Sequence, residues 1–520
     1  MKAFRKITAL LLMIALVFSS AAFAATPEEI ADSTYAAMEW LAEQQSTDGS
    51  WGWYAPDSFA RTGLALLKFE THALNDPDFE GPFDPDYPFS ENVIEGLDYL
   101  LSSAATVAIT PQPEGDPDSN GDGFGISLAP GGHHDIYITS IALMAVAASG
   151  DPGRVVSSGP LTGMTFGDVA QNMVDYLAFG QTDSPGVYRG GWNYFAMNNQ
   201  TNRSDNSISG YAVMALAFAE HPDYGFECDI PGFVRDELDF WVNYIQNVGN
   251  GGSGYSHPND WVNLLKAGNL LQQFAFLGYP VGDARVQAAI GYIQSNWNIA
   301  NLDPGWKGNA SVSNYQATFT LMKGLHAYGI EILDVGGDPE FDWFNDIADE
   351  LLAEQTVFDF WPTCNWDYED NQILSTTWAL LTLQKVAPPP PIRHIDINIK
   401  PGSDPNAVNP KPKGVLPVAI LGSEDFDVMA LDCMSIYMMV AGEPTMIEPL
   451  RFNYEDVQSD PPVYDPDGYM DIILHFSMED VFDLIGPDPM GVIELMIIAE
   501  DMDGKDYNGT DIILIVPKAK

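Results

Sequence analysis

The stretch from Glu39 to Tyr54, EWLAEQQSTDGSWGWY, contains the unit that decides the fold of this chain. A helical pattern ends in two glutamines, Gln44 and Gln45, and an Asp-Gly turn follows it. Two tryptophans, Trp51 and Trp53, come immediately before the next helical pattern. The stretch therefore predicts a helical hairpin with aromatic side chains in its loop.

Five weaker copies of this unit follow, so the sequence predicts six helical hairpins in a row. The first helices are predicted to end near Leu41, Leu100, Leu177, Ile245, Ile293 and Leu352. Several of them carry a terminal glutamine: Gln45, Gln181, Gln246, Gln294 and Gln355. The second helices are predicted to begin near Phe59, His133, Asp205, Asp260, Asn314 and Asp370. Because small residues in these second helices permit close packing, we expect them to form an inner layer.

The spacing Gln45-x3-Gly49-x-Trp51 resembles the glutamine-tryptophan repeat of squalene cyclases and of protein prenyltransferase β subunits. Gln181 before Trp192 and Gln294 before Trp306 repeat the pattern. The resemblance covers residues 26–386, roughly two-thirds of the mature chain. It implies an all-α (α/α)6 toroid of six helical hairpins. Because one fold supports many reactions, the resemblance does not decide the chemistry.

The first 24 residues have the features of a signal peptide. Lys2, Arg5 and Lys6 form a basic region, Ile7 to Phe18 is apolar, and Ala22-Phe23-Ala24 is a small-x-small cleavage site. We therefore expect a secreted, periplasmic or cell-surface protein after cleavage of residues 1–24. No other apolar run is long enough for a membrane span.

The composition is strongly acidic, with 73 acidic against 22 basic side chains and a formal net charge of -51. Such a surface repels phosphate backbones, so nucleic acid is not an expected partner. Calcium is the expected cation, although the acidity also serves to keep an exported protein soluble. The three cysteines lack zinc-ligand spacing, so no zinc is expected. Cys228 and Cys364 fit either a bridge or free thiols.

Aromatic residues of the hairpin loops are the candidate ligand contacts. If first and second helices alternate outside and inside, all six hairpin loops emerge at the same end of the ring. The candidates are Trp51, Trp53, Trp192, Tyr194, Trp306, Trp361 and Trp366. A collar of such rings suits sugar rings or an apolar chain. For any individual tryptophan, the resemblance favours a second role, because the repeat aromatics of the resembling family staple the helix ends; the collar as a whole is the better candidate for ligand contact.

Two acidic loops are candidate calcium sites. The first loop offers Asp116, Asp118, Asn120 and Asp122, and the second offers Asp465, Asp467 and Asp471. Alternating oxygen ligands around a glycine turn are typical of calcium loops of the EF-hand type. Ser127 stands where a bidentate glutamate would complete the first loop, which leaves a plain Asx-Gly turn as the alternative.

Catalytic signatures are weak. A cyclase of the resembling family needs an acidic Asp-x-Asp-Asp proton donor, and the nearest match is Asp367-Tyr368-Glu369-Asp370. Asp370 also suits the N-terminus of the last helix, where it would accept backbone N–H groups. His134 and Asp135 are candidates for a metal or general-base role, with helix capping as the alternative. The zinc set of the prenyltransferases has no counterpart.

Composition changes sharply at residues 387–394, a proline-rich linker. Short strand patterns follow in residues 395–520 and predict an all-β sandwich domain. The segment from Ile395 to Val428 resembles an accessory domain found at the ends of exported bacterial and archaeal proteins, which implies attachment or presentation. The chain is thus expected to be multidomain.

These features favour a non-catalytic exported binding or cell-surface protein. Its expected partner is a glycan, an apolar small molecule or an extracellular component. The alternative is an enzyme in the same cavity, either a polysaccharide hydrolase or lyase or a terpene cyclase. Facing carboxylates in an aromatic pocket would favour glycan cleavage, whereas a deep dry cavity with Asp370 at its apex would favour cyclisation.

Overall fold

The chain forms two compact units, Met1–Pro389 and Pro390–Lys520. The first is rich in helices and the second in strands. The computed structural model describes residues 24–52, 57–128, 134–183, 185–196, 203–299, 304–307, 312–364, 371–388, 393–403, 405–408, 414–423, 426–440, 445–457, 468–486, 491–502 and 506–515. The predicted signal peptide therefore lies outside the described residues, apart from its last position.

Twelve helices in the described part of the first unit form six consecutive pairs. The first helices are α1 Pro27–Glu43, α3 Ser90–Ser102, α5 Phe166–Gly180, α7 Phe233–Ile245, α9 Ala284–Asn296 and α11 Trp343–Glu354. The second helices are α2 Asp57–Asn75, α4 Asp135–Ala148, α6 Asn206–Glu220, α8 Leu264–Phe276, α10 Tyr315–His326 and α12 Gln372–Leu383. The second helices are buried along almost their whole length, whereas most first helices keep one exposed face. The second helices therefore form the inner layer.

The second helices contact one another in a closed order that begins and ends at α2. Each packs against the next one along the chain, from α2 through α4, α6, α8 and α10 to α12. The last helix, α12, then packs against α2 and α1. The beginning and the end of the helical unit are thus in direct contact.

Short polar side chains start the inner helices. Asp205, Asn263, Asn314 and Asn371 each accept a hydrogen bond from the backbone N–H three residues further on. These bonds satisfy amide groups that have no partner within the helix. Because Asn263 is the cap, α8 begins at Leu264 and not near Asp260 as the sequence pattern predicted.

Glycine permits an unusually close approach of α8 and α10. A Cβ atom on Gly268 would lie 2.2 Å from the carbonyl oxygen of Thr320, and one on Gly324 would lie 2.4 Å from that of Gly268. Both distances are shorter than any normal contact. The two helices therefore touch backbone to backbone.

Terminal glutamines connect neighbouring pairs. The Gln45 Nε2 atom donates to the carbonyl oxygen of Gly49 in its own loop at 3.0 Å and to that of Asn92 in α3 at 2.9 Å. Gln181 and Gln246 make the same two hydrogen bonds, one to a carbonyl of their own loop and one to a carbonyl at the start of the next first helix along the chain. One amide therefore holds a hairpin turn and the following pair together.

The glutamine at the end of α11 makes the corresponding bond to the beginning of the unit. Gln355 Nε2 donates to the Ser33 carbonyl of α1 at 3.0 Å, and Ser33 Oγ donates back to Gln355 Oε1 at 2.7 Å. Helix α11 is thus hydrogen-bonded to helix α1. A glutamine amide therefore connects neighbouring pairs along the unit and also connects its last pair to its first pair.

Two small antiparallel hairpins interrupt the helical pattern, and the sequence had not indicated them. Strands β1 Ala104–Ala108 and β2 Phe124–Leu128 separate α3 from α4. Strands β3 Ile332–Val335 and β4 Asp338–Asp342 separate α10 from α11. The first acidic loop lies between β1 and β2.

The second unit contains two sheets. Its strands are β5 Arg393–His394, β6 Ile397–Ile399, β7 Ala407–Val408, β8 Val415–Ile420, β9 Leu431–Val440, β10 Met446–Ile447, β11 Arg451–Glu455, β12 Asp471–Ser477, β13 Gly491–Asp501 and β14 Asp506–Ile515. One sheet has the order β10-β9-β13-β14-β5, with β7 also paired to β14, and the other has the order β11-β12-β8-β6. A short helix, α13 Met478–Leu484, follows β12. Apolar residues of both sheets share one core, which includes Ile399, Val418, Leu474, Leu495 and Ile513.

Two expectations about the whole chain can be compared with the described residues. Within the described residues, no helix combines the length and the hydropathy that a membrane crossing requires. The Cys228–Cys364 bridge that the sequence allowed is not formed in the structure.

The glutamine bonds predict a contrast between adjacent residues. Gln45→Met leaves two carbonyl oxygens without their donor, and we expect a loss of about 1–3 kcal/mol and a lower thermal midpoint. Gln44→Met is the matched control, because the Gln44 amide donates only to Trp40 of its own helix. Thermal unfolding followed by circular dichroism measures both. Equal midpoints for the two variants would contradict the assigned role.

Candidate functional site

Three of the predicted aromatic contacts are fully buried at helix ends. Trp51, Trp192 and Trp361 have no exposed surface. Their indole N–H groups donate at 2.7–2.8 Å to the carbonyl oxygen of a leucine in the last turn of the preceding helix: Leu41, Leu177 and Leu351. Their backbone N–H groups donate to a hydroxyl of the following helix: Thr62, Ser209 and Thr376. These are the contacts of the helix-end role, and ligand contact by these tryptophans stays a prediction.

Of the remaining predicted tryptophans, the structure describes Trp306. Trp306 is also fully buried, and its ring packs against Trp297 with centroids 5.3 Å apart. Trp53 and Trp366 lie outside the described residues, as do the catalytic candidates Asp367 and Asp370.

Of the weak catalytic candidates, Asp135 is buried and holds the local structure together. Its carboxylate accepts hydrogen bonds from the Tyr176 hydroxyl at 2.9 Å, from the Ile136 N–H at 2.9 Å and from the Ala196 N–H at 3.3 Å. His134 precedes it with a left-handed backbone, φ 69°, which is uncommon outside glycine. Non-glycine residues in this conformation concentrate at functional sites.

Tyr194 is the predicted contact that the structure places beside other candidate groups. Its ring lies 4.4 Å from the His134 ring and 6.3 Å from the Tyr137 ring, centroid to centroid. Its hydroxyl is 3.5 Å from the Tyr255 hydroxyl. Tyr137 in turn contacts Tyr211 of α6 with centroids 5.1 Å apart. We call Tyr255, Tyr194, Tyr137 and Tyr211 the tyrosine series.

The outer end of the tyrosine series carries an exposed tryptophan. Trp261 is 44% exposed, and its ring centroid lies 6.0 Å from that of Tyr255. Its backbone is left-handed, φ 53°. The Lys266 ammonium lies 4.1 Å from the centre of the indole. Trp261 thus presents a large ring at the hairpin end while its neighbours hold its orientation.

Sequence reasoning missed Trp261 because the pattern from Asp260 was interpreted as helix. A helical Trp261 would be one apolar position among many. The signal that identifies it is Asn263, a preferred helix cap only two residues later, which places Trp261 in the preceding turn.

The inner end of the tyrosine series meets a buried lysine. Lys323 of α10 has its Nζ atom 5.2 Å from the ring centre of Tyr211 and 5.6 Å from that of Phe319. Tyr211 belongs to α6, and α8 stands between α6 and α10 in the order of contacts. The lysine side chain therefore reaches across the inner side of α8. Only 1% of Lys323 is exposed, and burial lowers its pKa to about 7.

A second buried lysine has a different environment. Lys68 of α2 is fully buried, and its ammonium donates a hydrogen bond to the Gln384 side chain, just beyond the end of α12. Burial lowers its pKa to about 7 as well. Lys68 thus joins two neighbouring helices, whereas Lys323 faces aromatic rings.

Asp205 is an acidic group close to the tyrosine series. It is buried, and its Oδ1 atom accepts hydrogen bonds from the Ile208 N–H and the Ser207 hydroxyl. Burial raises the pKa of this carboxyl, although both hydrogen bonds oppose the change. Asp205 is therefore a helix cap that also lies close to Tyr194 and Tyr255.

The first acidic loop is organised by its own backbone. The Asp118 carboxylate accepts hydrogen bonds from the N–H groups of Gly121, Asp122 and Gly123 at 2.8–3.2 Å. Asp116, Asn120 and Asp122 each accept one bond from the N–H two residues later. Within the described residues, no group of three or more His, Cys, Asp and Glu side chains is placed to hold a metal ion. Calcium stays a prediction for this loop.

In the second loop, Asp465 and Asp467 lie outside the described residues. Asp471 is buried at the start of β12 and accepts hydrogen bonds from the N–H groups of Gly422 and Val457, both at 2.8 Å. Its carboxylate therefore fixes two neighbouring loops of the second unit.

Comparisons with known proteins give similarity of limited extent to solved structures. No family model matches the chain, and no curated protein matches it. The apo structure of the type II terpene cyclase MstE from Scytonema aligns with 14% sequence identity and a TM-score of 0.39. The alignment covers 70% of this chain and 99% of that one. Because this TM-score is low, we infer neither fold nor function from the similarity.

Lys68 predicts a pH dependence of stability. An ordinary lysine keeps its proton up to about pH 10.5, whereas the buried Lys68 loses it near 7. Between these values the unfolded chain binds more protons, so stability rises with pH, by up to about 1.4 kcal/mol per pH unit. We expect Lys68→Met to raise the thermal midpoint at pH 6 and to flatten its increase between pH 7 and 9.

The control is Lys307→Met, because Lys307 is partly exposed and pairs with Asp346 at 3.1 Å. Its midpoint should follow the wild-type pH dependence. A Lys68→Met profile parallel to the wild type would show that the buried amine does not carry this dependence.

Proposed function

We propose that the protein is an exported, non-catalytic binding protein for a saccharide, with the ligand lying along the tyrosine series. The observation that supports this proposal is the continuous set of rings from the exposed Trp261 through Tyr255, Tyr194 and Tyr137 to Tyr211. Tyrosine and tryptophan offer an apolar face to a sugar ring and a polar tip to its hydroxyl groups. The β-rich unit would attach the protein to a surface or present it there.

We further propose that the helical unit is a closed (α/α)6 toroid. The unbroken order of contacts from α2 to α12 and back to α2 supports this arrangement, as does the bond between Gln355 and Ser33. The tyrosine series would then run from the hairpin end of the toroid towards its centre. A glycan chain end or a branch fits such a path better than a flat surface does.

An apolar ligand and terpene cyclisation are less consistent with the charges. A cyclase stabilises carbocations, and the Lys323 ammonium beside Tyr211 would repel a positive charge in the same space. With a pKa of about 7, that amine is partly charged at neutral pH. Cleavage of a polysaccharide remains the enzymatic alternative, with the Asp205 carboxyl group close to Tyr194 and Tyr255 as a candidate acid.

Binding of a saccharide can be tested on an array of oligosaccharides followed by calorimetry. The wild type should bind at least one member, and Trp261→Ala should weaken that binding about tenfold or more through loss of a stacking face. Trp192→Phe is the matched control, because Trp192 is fully buried at a helix end. It should lower thermal stability and leave the affinity unchanged.

Two results would contradict this function. One is the absence of binding to any saccharide by the folded wild type. The other is equal affinity for the wild type and Trp261→Ala. Chromatography of the incubated oligosaccharides should show no shorter products, and new products would establish the enzymatic alternative.

Calcium at the first acidic loop is a separate proposal. Titration of the chelated protein should give a binding heat and a higher thermal midpoint, and Asp118→Asn should reduce both. The Asp118 carboxylate already accepts three backbone N–H groups. If calcium produces neither heat nor a midpoint shift, the loop is a plain Asx-Gly turn.

A further inference from the structure

The inner face of α8 carries an amide without hydrogen bonds. Asn269 faces Gly210 of α6, and Gly268 faces Thr320 of α10. Gln272 lies one turn beyond Gly268, on the face between these two neighbours. Phe274, two residues later and therefore on the opposite face, contacts Tyr279 just before α9. Gln272 thus points away from the outer layer.

That amide is buried and has unused hydrogen-bonding capacity. Gln272 is 4% exposed, and neither its Nε2 nor its Oε1 atom has a hydrogen-bond partner among the described residues. An amide buried in this way costs free energy unless something else satisfies it. It therefore points to a ligand with polar atoms.

A second unused donor lies on α12. The Thr376 hydroxyl accepts the backbone N–H of Trp361 in the hairpin loop, which defines the outer face of this helix. Trp378 stands two residues later and so faces the opposite, inner side. It is 5% exposed, and its Nε1 atom has no hydrogen-bond partner within the part of the chain that the structure describes.

Lys323 is the third inward-facing donor. Its ammonium lies against the rings of Tyr211 and Phe319, and the cause of its lowered pKa is burial, with no compensating carboxylate. Gln272, Trp378 and Lys323 all stand at or just beyond the midpoints of their helices. The three donors therefore belong to three successive inner helices, α8, α10 and α12, and stand at similar positions along them.

We propose that these three donors receive the anionic group, a carboxylate or a sulfate, of an acidic saccharide. The Lys323 ammonium would neutralise the charge, while the Gln272 amide and the Trp378 indole would donate to the remaining oxygen atoms. This inference rests on the proposed function, because the sugar rings would lie along the tyrosine series with the acidic group at its inner end.

An anion is favoured over a neutral polar group for two reasons. Lysine ammonium and indole N–H are donors only, so their partner must supply acceptors. Charge-assisted hydrogen bonds away from water are also stronger than neutral ones. A protein with a formal net charge of -51 repels anions over most of its surface, so a buried cation facing inward would confine the acidic group to one place.

The test compares three ligand series: neutral oligosaccharides, oligosaccharides of uronic acids and sulfated oligosaccharides. Calorimetry with the full mature chain should show preference for one of the acidic series. Lys323→Met should reduce affinity for that series about tenfold or more, a larger loss than it causes for neutral sugars. Trp378→Phe and Gln272→Leu should weaken the same series to a smaller extent.

Lys68→Met is the matched control, because Lys68 is equally buried but already donates to Gln384. It should keep the wild-type preference, and circular dichroism should show that all variants fold. Equal binding of neutral and acidic sugars, or an unchanged preference in Lys323→Met, would overturn this inference and leave saccharide binding intact. Absence of binding to every series would overturn the proposed function as well.

Discussion

The pair of hydrogen bonds made by a glutamine amide at the end of a first helix is the interaction on which the helical unit depends. One side chain at the end of a first helix binds the carbonyl of its own loop and the carbonyl of the next first helix, as Gln45, Gln181 and Gln246 do. Gln355 applies the same geometry to Ser33 at the beginning of the unit. In these hairpins, the turn and the first helix of the following pair therefore hold each other in place.

The repeat tryptophans complete this construction. In Trp51, Trp192 and Trp361 the indole N–H binds a leucine carbonyl at the end of one helix, while the backbone N–H binds a hydroxyl at the start of the next. These buried loop tryptophans therefore join the two helices of their hairpins. Binding chemistry is left to residues on the inner helices and in the turns that lead into them, such as Tyr211, Lys323 and Trp261.

Sequence alone predicted six helical pairs because glutamine, glycine and tryptophan recur at similar places in several of the copies. It could not assign the tryptophans, since a ring that staples two helices and a ring that binds a sugar have the same local pattern. Trp51 shows the first role only once its neighbours are known. The strands β1 to β4 escaped prediction because each pair is short and lies in a Gly- and Pro-rich connection.

Lys323 and Gln272 were missed for a different reason. Each is one of several polar residues in its helix, and a helical pattern does not reveal which of these residues face solvent and which face the inner side. Their significance comes from α8 standing between α6 and α10, which is a property of the contacts between helices. Trp261, by contrast, could have been found from Asn263, had its capping role been weighed against helical periodicity.

The most direct measurement is a crystal structure of the mature protein with a bound acidic oligosaccharide. We predict a sugar ring stacked on Trp261 and the acidic group within hydrogen-bond distance of Lys323 Nζ. A ligand bound elsewhere, with the rings of Tyr211 and Phe319 closed over Lys323, would contradict the account.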